Sequence, residues 1–244
     1  MLKSKHSITI AIIFMCTAAF AQTKISVRHF EKIIVSPHIQ VTFVEGNEEN
    51  VVIEKCSAPI DKIHIEVNGK TLRVYLEGAK EITKNEDDGY TGRRAIYHGT
   101  VVAATINYKA LQALSIRGDE TQVCQSLLAG KKFRLKMYGN PHVFLNEVNL
   151  GKLKASVYGD GELNIKTGSI GHQKYTSYGE SRINTVAIDN HTTKITAFGK
   201  ASFRLHVSDA IRIVSFGEAS VAYEGDPTIN KWFHFGEMQI SKID

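Results

Sequence analysis

From Phe133 onward, apolar or small residues alternate with polar ones. In Phe133-Arg134-Leu135-Lys136-Met137 the odd positions are apolar and the even positions basic, and Ile211-Arg212-Ile213 repeats the scheme. This is the two-residue period of a strand, whose successive side chains point to opposite faces. No window shows a convincing helical stripe. A longer period runs over the short one. An aromatic-Gly pair recurs at Tyr138-Gly139, Tyr158-Gly159, Tyr178-Gly179, Phe198-Gly199, Phe216-Gly217 and Phe235-Gly236, in steps of 20, 20, 20, 18 and 19 residues. A degenerate copy, Arg117-Gly118, stands 21 residues before the first.

Aligned on the aromatic, each column has its own chemistry. Five residues after it stand Val143, Leu163, Ile183, Phe203, Val221 and Ile240. Three after it stand Pro141, Gly161, Ser181, Ala201, Ala219 and Met238. Three before it stand Leu135, Ala155, Tyr175, Ile195, Ile213 and Trp232. A strand repeat of this length cannot bury its apolar face alone, but stacked copies bury a continuous core. The expected fold is all-β: a parallel β-solenoid of about 19–20 residues per coil, with coils about 4.8 Å apart. Gly within a strand pattern marks a bend or a close backbone approach, so the Gly column is expected at one corner of every coil. Trp232, His234 and Met238 make the last copy bulky, as suits a repeat that caps the stack.

The earlier part of the chain reads as strands and hairpins that cover the N-terminal end of the solenoid. Ile39–Val44 and Val51–Glu54 flank Glu45-Gly46-Asn47, and Ile63–Val67 and Leu72–Leu76 flank Asn68-Gly69, a short-hairpin signal. Glu77 to Arg94 reads as a mobile polar loop. At the start, Lys3 and Lys5 precede an apolar run from Ile8 to Phe20 and the small-x-small pattern Ala19-Phe20-Ala21. The run is short for a membrane span, and the arrangement reads as a secretory signal peptide cut before Gln22. Three segments result: residues 1–21 as leader, 22–115 as a hairpin region continuous with the solenoid, and 116–244 as solenoid repeats. No transmembrane segment is expected after cleavage.

Composition changes this picture little. The 30 Lys+Arg against 25 Asp+Glu give a net charge of +5, and 43% of residues are hydrophobic, which suits a folded domain. Two cysteines follow the leader, Cys56 and Cys124, and an exported protein lives where such a pair persists as a disulfide, if geometry lets the two meet.

Charge placement is more informative than its sum. Four residues before each aromatic stand Arg134, Lys154, Lys174, Lys194, Arg212 and Lys231, all basic and all solvent-facing by parity. Six stacked coils would carry them as a stripe about 24 Å long. By the same parity the rings of Tyr138, Tyr158 and Tyr178 face outward, unless a bulge at the Gly corner turns them in. Two residues after the aromatic runs a mainly acidic column: Asn140, Asp160, Glu180, Lys200, Glu218 and Glu237. The functional reading is a ligand-binding face, with rings stacking on sugars and cations holding the charges of an anionic glycan. The plainer reading is a solvated sheet face whose Lys and Arg discourage edge pairing.

Other chemistries find less support. Nucleic acid fits poorly with a modest net charge and an exported chain. Asp160 and Glu180, neighbours in one column, are the candidates for an acid–base pair, but exposed charge-compensated surface explains them as well. Asn85–Asp88 lacks the downstream Glu of a calcium loop. No HExxH, GxSxG, Walker or GxGxxG motif occurs, so no catalytic residue, metal or cofactor is expected.

The leader, the hairpins near Phe30 and Asn68, and the aromatic-Gly-x-small-x-apolar coils together resemble the head GIN domain family, over about residues 25–240. Tyr158-Gly159-Asp160-Gly161-Glu162-Leu163-Asn164 is the best match to its motif, echoed by Gly179-Glu180-Ser181-Arg182-Ile183-Asn184. Later copies replace the second Gly by Ser181, Ala201 and Ala219. The resemblance implies a right-handed β-helix-like fold and an exported envelope protein, in the periplasm or at the surface of a Gram-negative bacterium. It implies no established activity. The expected function is envelope binding or adhesion without catalysis, the partner being an envelope glycan or another envelope protein. The alternatives are a self-assembling structural module, a homo-oligomer, and lastly a carbohydrate-active β-helix enzyme.

Overall fold

The computed structural model describes residues 23–87 and 92–243. The expected leader lies outside them. Along the chain come β1 (Thr23–Ser26), β2 (Lys32–Val35), β3 (Ile39–Glu45) and β4 (Asn50–Cys56), then β5 (Ile63–Asn68) and β6 (Thr71–Leu76). A small ribbon of β7 (Asn85–Asp87) and β8 (Arg93–Ala95) precedes β9 (Val102–Tyr108). The repeat region carries β10 (Ala113–Arg117), β11 (Thr121–Gly130), β12 (Phe133–Tyr138), β13 (His142–Tyr158), β14 (Glu162–Ile165) and β15 (Gly168–Thr185). It ends with β16 (Asp189–His206), β17 (Ala210–Glu224), β18 (Thr228–Phe235) and β19 (Met238–Lys242). All but the ribbon belong to one 17-stranded sheet that coils on itself as a β-solenoid.

The expected columns become hydrogen-bonded registers. On one side Leu72, Ile33, Leu114, Leu135, Ala155, Tyr175, Ile195 and Ile213 stack in parallel, each buried. On the next side Ala104, Val41, Gln122, Val143, Leu163, Ile183, Phe203 and Val221 do the same. The one polar member, Gln122, is bonded within the core. Its Nε2 donates to the Ile39 carbonyl at 2.8 Å and its Oε1 accepts from the Val41 amide at 3.1 Å. A buried carboxamide so paired costs little.

The Gly column does form the corner. Gly159 sits at φ +123°, and a Cβ there would stand 2.4 Å from the Gly139 carbonyl oxygen of the coil above. The backbones approach too closely at this corner for any side chain.

The N-terminal region departs from expectation in two ways. The Asn68-Gly69 hairpin forms, with Val67 paired to Leu72 and Asn68 to Thr71. The strands flanking Glu45-Gly46-Asn47 do not pair with each other: β9 lies between them, parallel to β3 and antiparallel to β4. Val102, Ala104, Ile106 and Tyr108 of β9 are buried at alternate positions, so β9 takes the place that completes the core. The turn of β2 and β3 thus lies between that of β6 and β9 and that of β10 and β11, out of chain order. The antiparallel strands β5, β4 and β1 close this end.

The polar segment after Glu77 is tied down in part. Glu81 pairs with both Arg73 and Arg117, the Ser36 hydroxyl donates to the Lys80 carbonyl, and His38 contacts Thr83 and Gly99. Both thiols, Cys56 and Cys124, are free, so the disulfide left open by the sequence is not formed.

Candidate functional site

Strand parity carries straight through the Gly corner. Ser177 and Ser181 point inward and their hydroxyls bond each other, while Tyr178 and Glu180 between them point outward. The rings therefore stack on the outside. Tyr138, Tyr158, Tyr178, Phe198 and Phe216 follow at centroid distances of 4.9, 5.2, 4.8 and 5.1 Å, with planes within 7° of parallel. These distances are the coil spacing, so the backbone sets the stack and the rings fill it. Tyr158 is 39% and Tyr178 42% exposed. The degenerate copy contributes Arg117 in register, its guanidinium 5.0 Å from the centre of Tyr138. A cation so placed on the ring face is attracted by its quadrupole.

The basic ladder is real but shorter than expected. Arg134, Lys154, Lys174, Lys194 and Arg212 occupy successive rungs of the parallel pairing. Lys231 is not the sixth. A bulge after Ile213 pairs Arg212 with Asn230 and Ile213 with Lys231, and leaves Trp232 as the extra residue. Five rungs span about 19 Å. The bulge also ejects Trp232 from the inward column, where the repeat alignment placed it. It is exposed, with the Arg212 guanidinium 5.0 Å from its ring. Ile229, Met238 and Ile240 close the base of the core instead.

Between the cations and the rings lies a further row whose middle three coils carry hydroxyls: Ser156, Thr176 and Thr196, two residues before Tyr158, Tyr178 and Phe198, flanked by Lys136 and Val214. Consecutive outward rows stand about 7 Å apart along the strand. The face is thus a trough with hydroxyls on its floor, ammonium and guanidinium groups on one bank and rings on the other. None of Arg134, Lys154, Lys174 and Lys194 forms an ion pair among the described residues. Beyond the cations, a cleft of about 340 Å³ runs between Lys174, Lys194 and Arg212 on one side and Lys152, His172 and Thr192 on the other. A periodic hydroxyl row at that offset was visible in the sequence, but short polar residues are common outside strands and carried no separate signal.

The column beyond the rings has a structural role. The Asp119 carboxylate accepts the Asn140 amide at 3.1 Å, the Asn140 side-chain oxygen accepts the Asp160 amide at 3.3 Å, and the Asp160 carboxylate accepts the Glu180 amide at 3.0 Å. Each short side chain closes the corner of the coil below. Farther down, Lys200 pairs with Glu218 at 3.7 Å. Asp160 is committed to a backbone amide and Glu180 is exposed, so the two do not form an enclosed acid–base pair.

The carboxyl of the degenerate copy is buried. Glu120 stands three residues after Arg117, in the inward column where later copies carry small residues. Burial raises its pKa, opposed by backbone amide bonds and by His38, whose ring nitrogen is 3.8 Å away. No helix of the described residues is long and apolar enough to cross a membrane.

Comparison with known proteins places this geometry. The profile of the family described as "Putative auto-transporter adhesin, head GIN domain" matches residues 29–227. No protein of curated function matches the chain. Among solved structures, "a putative adhesin" from Bacteroides fragilis is similar, with a TM-score of 0.75 and 17% identity over 91% of this chain and 96% of that one. Adhesins so described from Parabacteroides merdae (TM-score 0.67, 17% identity, 92% and 96% covered) and Parabacteroides distasonis (0.66, 16%, 91% and 96%) resemble it too. At such identities the likeness shows the fold alone. The family profile, in contrast, spans most of the chain, and the protein belongs to the head GIN domain family.

Proposed function

We propose that this protein is an exported, non-catalytic binding module of the cell envelope that holds an anionic glycan along the trough. One observation carries the reading: at least four cations with no counter-ion stand at coil spacing beside a continuous exposed ring stack. Unpaired charges in a row attract a polyanion of matching repeat. Rings offer sugar faces an apolar surface, and the hydroxyl floor supplies donors and acceptors. The names of the family and of the similar structures, adhesins by description, agree with binding rather than turnover. The periplasm and the outer cell surface both present such glycans.

Titration calorimetry with lipopolysaccharide and with a polyuronate tests the reading. Lys154→Glu, Lys174→Glu and Lys194→Glu combined should weaken binding about tenfold or more, with the melting transition unchanged. Rising salt should weaken the parent's binding as well, since exposed charges are screened. Unaltered affinity in the triple variant would remove the trough from consideration.

A further inference from the structure

The two ends of the solenoid differ in what they offer to a neighbour. At the N-terminal end the outer strands β1 and β5 are antiparallel additions, ringed by ion pairs: Lys24 with Glu48 at 2.7 Å, Lys62 with Glu77 at 3.0 Å, and Lys80 with Glu66 at 3.6 Å. Charged, short edges of this kind resist pairing with another chain. At the other end, β18 and β19 pair only with β17 among the described residues. Their far sides therefore present open backbone amides and carbonyls, a template for a further strand. On this edge Trp232, Phe233 and Phe235 are 65%, 53% and 73% exposed, well above the rings of the inner stack. The bulge that ejects Trp232 creates part of this surface, and bulges typically re-aim a side chain.

We infer that a second copy of this chain covers the C-terminal coil, edge to edge and two-fold symmetric through β18. Three observations favour a copy of itself. The free sides of β1 and β5 are short and fringed with charge, which disfavours a head-to-tail contact, whereas two aromatic-lined C-terminal ends joined about a two-fold axis complete each other and stop at a dimer. The charges suit antiparallel pairing: the register that sets Lys231 of one copy opposite Glu237 of the other also sets Phe233 opposite Phe235. Aromatic pairs across antiparallel strands are stabilising, and opposite charges so placed are too. The area is of the right order. Three rings of about 200 Å² each, exposed as they are, bring on the order of 400 Å² per copy, about half of what one partner contributes to a standard interface. The backbone edge and the flanking side chains of β19 supply the rest. The edge adjoins the end of the glycan trough, where Arg212 faces Trp232 and Phe216 meets Phe233, but the pairing involves no glycan and is tested without one.

The protein has a single tryptophan, Trp232, so its fluorescence reports this edge alone. Sedimentation velocity and Trp emission, followed on the purified protein across a dilution series, should show one shared transition: a dimer with blue-shifted emission giving way to a monomer with red-shifted emission. Phe233→Glu with Phe235→Glu leaves Trp232 in place, alters only exposed positions, and sets like charges opposite each other across the pair. It should weaken the dimer about a hundredfold or more, as loss of two aromatic anchors does, with circular dichroism and melting unchanged. A parent that stays monomeric at high micromolar concentration would overturn the inference. So would a dimer that survives the double variant with red-shifted emission throughout. A blue shift on adding vesicles of anionic phospholipid, with no self-association at any concentration, would assign the edge to a membrane surface instead.

Discussion

The glycine column and the aromatic column are neighbours in every repeat, one residue apart, and recur with the same regularity. Their reasons differ. At Gly159 the backbone lies at φ +123° and the carbonyl of Gly139 fills the space a Cβ would need. Nothing but glycine fits. One residue earlier, Tyr158 leans outward over Tyr138 and Tyr178, with about two-fifths of its surface in water. Neither burial nor backbone geometry demands an aromatic ring there. Regular recurrence in a solenoid thus reports that an environment recurs. Whether the residue is required by the fold or is available for a partner is decided by what surrounds it.

Substitution at the two columns should separate them most widely. Gly159→Ala places a methyl against the Gly139 carbonyl in a strained conformation, and should cost about 3 kcal/mol or more in urea denaturation. Tyr158→Ala removes half of two stacked pairs from an exposed site, and should cost about 1 kcal/mol while weakening glycan binding. Equal losses of stability would mean that the ring stack holds the corner as firmly as the glycine does, and the distinction would collapse.

The column on the far side of the glycines sharpens the same contrast within a single row. Asp160 accepts the Glu180 amide and closes a corner, whereas the next coil continues as strand through Gly179, with Gly179 paired to Gly199. Asp160→Ala should therefore cost about 1 kcal/mol, the usual worth of such a bond. Asp160→Asn should recover most of it, because Asn140 does the same work one coil above. Glu180→Ala should change stability least of the three. Thermal melts of the set in one buffer give the order directly.

The columns were legible because repetition multiplies a weak signal. One aromatic-Gly pair says little, but six at nearly constant spacing fix the coil length, the inward and outward faces, and the rungs Arg134 to Arg212. The signal fails where the repeat is used once. The bulge at Trp232 inserts one residue into the last coil, so the residues before it stand one place out of step with the repeat, while Phe235, Met238 and Ile240 after it keep their register. Lys231 left the ladder and Trp232 left the core for that reason. The N-terminal turns were illegible for another cause: β9 enters between β3 and β4 through contacts distant in sequence, which no local pattern of turn residues encodes. The corner role of Asp119, Asn140 and Asp160 was masked as well, since a column of short acids reads as surface charge until the amides they accept are seen.

The smallest expected effect lies at the degenerate corner, where the inward column carries a carboxyl rather than a small residue. Glu120 is buried, and loss of water raises its pKa above that of the unfolded chain. A group shifted in this direction favours the folded state below its unfolded pKa, and that advantage is lost as pH rises through the folded value. Above the folded value the ionised carboxylate is therefore a burden, and Glu120→Gln should raise stability there slightly. The gain should shrink as pH falls into the ordinary carboxylate range, where Glu120 is protonated in both states. His38, 3.8 Å away, opposes the shift by its charge, alongside the backbone amide bonds to the carboxylate. It sits at φ +69°, a conformation Asn tolerates, so repeating the pH series on His38→Asn separates the two groups. If Glu120→Gln were less stable than the parent at pH 7, the amide bonds to the carboxylate would outweigh its burial. The corner would then resemble the Asp160 corner more than the small-residue corners it aligns with.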